Sequence, residues 1–182
     1  YPSTAESPTQ IVIAQAFLKE RKMDALVRQL TELGVTQWIP FCAKRSVSRP
    51  NKKQLSVRIQ RWKKIAKEAL KQCKRGRIME IGETVVSFEE ILKLGDSCDL
   101  KIVFSEMELK LFSDKLPKRD RQINSIFAML GPEGGFTSQE IELAKDNGFV
   151  AVSMGPRILR AETATIAASV LLQYLFGDMS QK

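Results

Sequence analysis

The sequence predicts an α/β fold built on a largely parallel sheet, and two observations carry the prediction. Apolar runs of strand length alternate with stretches of helical period along the chain. The helical stretches are also punctuated in the right order, with capping residues before them and glycines after them. The first strand-like run is IVIAQAF (11–17). ERKMDALVRQLTELG follows, with Met23, Leu26, Val27, Leu30 and Leu33 on one helical face and Gly34 as the stop. VTQWIPF returns to strand composition. A long helix is expected over residues 54–74, with Leu55, Ile59, Trp62, Ile65 or Ala66, and Ala69 facing inward.

The second half keeps the alternation. SFEEILKL opens with a capping box from Ser87 to Glu90, and TSQEIELAKDNG with another from Thr137 to Glu140, closed by Gly148. DLKIVFS (99–105), INSIFAMLG (123–131) and VAVSMG read as strands, and a helix rich in small residues is expected over 162–176. SDKLPKRDRQ (113–122) reads as an exposed connection, and residues 1–10 as a linker or tail. No internal repeat or low-complexity tract interrupts the pattern.

Composition narrows the function. The 182 residues suffice for one large domain with a real core, and their 43% hydrophobic and 27% charged content is that of a soluble globular protein. No apolar run reaches the ~18 residues of a membrane span. The chain begins at Tyr1 without a signal peptide, as a fragment or processed product would. A net charge of +8, from 29 Lys and Arg against 21 Asp and Glu, favours a polyanionic partner. Cys42, Cys73 and Cys98 have neither zinc-ligand nor redox-pair spacing and read as idle thiols of a reducing compartment. With no histidine, Ser-His-Asp and Cys-His triads are excluded, and the usual His-ligated metal sites with them. Acid–base chemistry must come from other side chains or from the substrate.

Three constellations could carry chemistry. LGPEGGFTSQE (130–140) puts Gly131, Gly134 and Gly135 between a strand and a capped helix. Ligands of open α/β sheets sit at the carboxyl ends of strands, so this is either a ligand-facing loop or a tight strand-to-helix turn. It has neither the dinucleotide fingerprint nor the P-loop ending. MGPRILRAETATIAA (154–168) is a second Gly-Pro turn at a strand end. If the two strands were neighbours, the two turns would wall one pocket. Its Arg160 and Glu162 are either a surface pair at a helix start or reactive groups at the pocket mouth. The third constellation is basic. Nine cations from Arg58 to Arg77, ending in KRGR (74–77), face one acid, Glu68, and AKRSVSRPNKK (43–53) adds five more. Such a surface suits phosphate contacts or is an ordinary solvated face.

Taken in order, ELGVTQWIPFCAKRSV, RWKKIAKEALKQCKR, LGPEGGFTSQE and MGPRILRAETA resemble the ribosomal small-subunit RNA methyltransferase E family, of the SPOUT superfamily. The resemblance runs over residues 11–177, as one methyltransferase domain. It implies methyl transfer from S-adenosyl-L-methionine to N3 of a uridine in 16S ribosomal RNA of the small ribosomal subunit, by a cytoplasmic homodimer with no membrane partner and no metal. It implies a C-terminal trefoil knot forming the cofactor pocket, which general topology rules alone would disfavour. The family's N-terminal PUA-like barrel has no counterpart here, and Lys74 stands where a glycine is common in the family.

Carried over by motif, the cofactor would be held by Leu130, Gly131 and Gly135 from the first turn and by Met154, Gly155, Ile158, Leu159, Thr163 and Ala164 from the second. Phe104, Ser105 and Glu106 would supply a third wall. Arg160 would hold the uracil oxygens or a phosphate, and Glu162 would take the N3 proton through water or only orient the loop. Arg45, Arg75, Arg77 and Arg157 are the expected RNA contacts. A SPOUT methyltransferase with another RNA target, or a non-catalytic RNA-binding or assembly module, are the competing readings.

Overall fold

Every strand of the sheet runs in the same direction, so all strand starts lie at one end and all strand ends at the other. The computed structural model describes residues 6–84, 86–108, 111 and 123–180. The strands are β1 (Gln10–Ala16), β2 (Gln37–Phe41), β3 (Glu80–Ile81), β4 (Leu100–Phe104), β5 (Ser125–Leu130) and β6 (Val150–Val152). The helices are α1 (Glu20–Glu32), α2 (Lys52–Cys73), α3 (Phe88–Leu94), α4 (Ser138–Asp146) and α5 (Ala161–Phe176). The six-stranded sheet has the order β3-β2-β1-β5-β4-β6, with each ladder parallel.

Strand alternation sorts the core into two layers. Ile126, Ala128 and Leu130 of β5 face α1, α2 and α5, while Phe127 and Met129 face α3 and α4. On the first side, Trp62 of α2 meets Trp38 of β2 edge-on, with ring centroids 5.0 Å apart, and its indole N–H donates to Asp24 at 3.0 Å. Ala66 rather than Ile65 completes the buried stripe of α2. Both expected capping boxes form, each worth about 1 kcal/mol to its helix. Gly34 and Gly148, after α1 and α4, have φ of +77° and +80°.

One strand is new and two expectations change. The pairing of β3 is only two residues long, too short to carry a period-2 signal. Residues 6–9 are not a free tail: Thr9 is buried, and its hydroxyl donates to the carbonyl oxygens of Phe176 and Ile123. The connection 113–122 lies outside the described residues. The second change concerns the two Gly-Pro turns. They end β5 and β6, but β4 lies between these strands.

Candidate active site

Because β4 separates β5 from β6, the strand ends form a three-walled cleft, partly open to solvent. Leu130, Gly131 and Gly135 line it after β5, and Met154, Gly155, Ile158 and Leu159 after β6. Ala164 closes it from α5, and Phe104, Ser105 and Glu106 supply the wall after β4. Thr163 does not line the cleft; one residue before Ala164 on the helix, it points to solvent.

The glycines set the shape. Gly135 has φ +65°, and a Cβ there would overlap the Glu106 carboxylate. At Gly131 a Cβ would just touch the Phe136 ring and the Gly135 Cα, each at 3.4 Å. Gly155 has φ +109° with open space where its Cβ would stand. The result is a backbone-lined cradle with aliphatic sides, suited to a flat, partly apolar ligand.

Two side chains that sequence reasoning missed tie the walls together. Gln15, fully buried in β1, donates to Gly131 O at 3.1 Å and accepts from the Thr165 hydroxyl of α5. Its signal in the sequence was a lone amide inside an apolar run. Lys22, on the first turn of α1, pairs with Glu162 at 3.0 Å and Glu133 at 3.4 Å. The Lys19 amide also donates to Glu133, at 3.2 Å.

The charged candidates separate. Arg160 is exposed beside the cleft, as the residue before α5. Glu162 is half-buried. Burial raises its pKa, but its own backbone amide, Lys22 and the nearby Arg160 outweigh that and hold the carboxyl below its ordinary value. Its ion-pair partner is Lys22 rather than Arg160. Arg157 lines the cleft and is exposed. Arg45 donates to Gly134 O at 2.9 Å, so it braces the first glycine loop from the β2–α2 connection.

The expectation that Arg75 meets RNA fails on burial. Only 8% exposed, it donates to Thr31 O and Val35 O and pairs with Glu6 at 3.0 Å. Arg77 is exposed and pairs with Glu80. Both precede β3 and so sit at the strand-start end, away from the cleft. On α2, Arg61 pairs with Asp24, Lys63 with Glu83 and Lys71 with Glu68. Lys64 and Lys67 are exposed without a partner among the described residues.

Cys42, Cys73 and Cys98 are free and half-buried, and burial pushes the Cys42 and Cys98 thiols up. Among the described residues there is no group of three His, Cys, Asp or Glu placed to hold a metal, and no helix long and apolar enough to cross a membrane.

A parallel sheet with a glycine-walled cleft at its strand ends defines a class, and residues 5–173 match the RNA methyltransferase domain family. The ribosomal RNA small subunit methyltransferase E of Bacillus subtilis (strain 168) is 35% identical over 177 residues, covering 93% of this chain and 67% of that protein. The Neisseria gonorrhoeae enzyme of the same name, solved bound to S-adenosyl methionine, superposes with a TM-score of 0.86. It is 32% identical, covering 98% of this chain and 71% of that one. A methyltransferase of Legionella pneumophila, solved with bound SAM, gives 0.88 at 32% identity, covering 96% and 70%. The chain belongs to the ribosomal RNA small subunit methyltransferase E family and spans about two thirds of the length of these relatives.

Proposed function

We propose that this chain methylates small-subunit ribosomal RNA, taking the methyl group from S-adenosylmethionine, and that the acceptor is N3 of a uridine. The carrying observation is the cleft: both motif loops line it, with a third wall after β4. Its residues fit the cofactor. Leu130, Met154 and Leu159 offer aliphatic contact to an adenine ring, and the backbone at Gly131, Gly135 and Gly155 is open to hydrogen bonding. When bound, the cofactor supplies a methyl group on a cationic sulfonium.

The chain's own work is to hold the uracil and stabilise its charge. Uracil attacks through N3 after losing the N3 proton. A cation beside the ring oxygens stabilises the resulting anion and lowers the pKa of N3. The exposure of Arg160 between the lining residues Leu159 and Ala161 supports that role, and the exposed, cleft-lining Arg157 suits a neighbouring phosphate. Glu162 is already ionised and paired with Lys22. Such a carboxylate is a weak base, so we read Glu162 as the anchor of the start of α5, with solvent taking the proton.

The outer face of α5 supports a second copy as partner. Thr163, Ala167, Val170 and Tyr174 form an uncharged stripe along it, with Tyr174 52% exposed. The return of α5 from the β6 edge to pack against α1, β1 and β5 is compatible with the knotted C-terminus that the family resemblance implies. A ribosomal substrate supports a cytoplasmic site of action.

The test is transfer of labelled methyl from S-adenosylmethionine to small subunits lacking the modification, followed by mapping of the modified nucleotide. Label on N3 of one uridine is the expected result. Label elsewhere would give the enzyme another target. Cofactor binding without transfer to any RNA would favour an assembly module. Glu162→Gln should weaken cofactor binding more than the rate at saturation, whereas Arg160→Ala should do the reverse.

A further inference from the structure

Neither motif loop is rigid by its own composition: one is G-P-E-G-G, the other G-P-R with Ile158 85% exposed. Yet the cleft needs both at a fixed separation, and β4 keeps their parent strands from hydrogen-bonding to each other. Side chains reaching across from other elements add to the separation that the ladders set. The acids Glu133, in the first loop, and Glu162, at the start of α5 after the second, both reach one ammonium. It belongs to Lys22 on α1, an element that contributes no lining residue to the cleft. The same helix start adds the Lys19 amide to Glu133.

We propose that Lys22 is a positioning residue that holds the two Gly-Pro loops at the separation needed to bind the cofactor, by bridging Glu133 to Glu162. Lysine suits the task because its ammonium is a compact point charge that attracts two carboxylates at once. The bridge is roughly two-thirds buried at each of its three side chains. It is therefore less screened than an exposed surface pair, and it spans segments far apart in sequence. Gln15 joins the same two segments beneath it, Gly131 to Thr165, so a hydrogen-bonded inner contact and an ionic outer one both span the cleft.

A second lysine provides the contrast. Lys101 is more shielded than Lys22, pairs with Asp96 at 2.9 Å and donates to Asn147 O, but it lines no part of the cleft. If Lys22 acts by position, removing it should harm binding, and removing Lys101 should harm only stability.

The inference rests on the cofactor reading above, and titration of S-adenosylmethionine into four purified proteins separates the two. These are the wild type, Lys22→Met, Lys22→Arg and Lys101→Met, each also followed by thermal melting. Wild type that is folded but binds nothing sinks the cofactor reading itself. With wild type binding, Lys22→Met should bind roughly tenfold more weakly, Lys22→Arg within about threefold of wild type, and Lys101→Met as wild type. Lys22→Met binding like wild type would overturn the proposal. So would Lys22→Arg being as weak as Lys22→Met, or Lys101→Met losing affinity in step with its melting temperature. Should Lys22→Met fail to fold, the Lys22→Arg result decides alone: retained binding supports the bridge, and lost binding rejects it.

Discussion

The two ends of the parallel sheet use the same chemical groups for opposite purposes. At the strand-start end, carboxylates and a guanidinium saturate the backbone. Glu6 accepts from the Gly76 and Arg77 amides and from Arg75, and Arg75 donates to two carbonyl oxygens. Asp99 accepts from the Asn124 and Ser125 amides and ties β4 to β5. At the strand-end side, glycines keep side chains out of the way and leave backbone lining a cleft. Lys22 and Arg45 brace that end from outside the cleft. One end is built to be closed and the other to be entered, so damage to each should be read out in different quantities.

The largest effect should come from the closed end. Arg75→Met removes a buried guanidinium from Thr31 O, Val35 O and Glu6, a loss of about 2–4 kcal/mol in urea unfolding. Affinity for S-adenosylmethionine should stay at the wild-type value in the folded fraction. A parallel loss of affinity would mean that the two ends are not independent. Gly135→Val should do the opposite. A β-branched residue at φ +65° costs about 1–3 kcal/mol and drives a side chain against Glu106, so cofactor binding should fall by at least about tenfold. Wild-type affinity in that variant would break the comparison from the other side.

The smallest effect is in pH dependence. Burial raises the Glu6 pKa, but Arg75 and the neighbouring amides outweigh it and hold the carboxyl low. Glu162 is also held low. Each acid contributes stability above the unfolded value of about 4.3, lost as pH falls through the lower folded pKa. The ends diverge in alkali. Pairing with Glu162 raises the Lys22 pKa against the opposing effect of burial, with Glu133 adding to the rise. Its contribution is present below the unfolded value of about 10.4 and is lost as pH rises through the folded pKa. Melting curves from pH 9 to 11 should therefore fall slightly more steeply for wild type than for Lys22→Arg, and identical curves would remove the cleft-end ion pair from the account.

Much of the closed framework was legible in the chain. The capping boxes at Ser87 and Thr137, the stop at Gly34 and the buried stripe of α2 are local signals, readable because backbone hydrogen bonding is local at helix ends. Both loops of the cleft were legible as motifs, but their arrangement was not. That β4 separates β5 from β6 is a property of strand order, which no local pattern encodes. Arg75 misled for a related reason. In KRGR it looks like its neighbours, and only the fold brings Thr31, Val35 and Glu6 around it. Lys22 and Gln15 were invisible for the converse reason, since their partners lie more than a hundred residues away.

The most direct test of the claim that the strand-end cleft holds the cofactor is calorimetric titration of S-adenosylmethionine into the folded wild-type chain and into Gly135→Val. Saturable binding at one molecule per chain, lost or at least tenfold weaker in the variant, is the predicted result. No binding to a folded wild-type chain, or equal binding by both proteins, would contradict it.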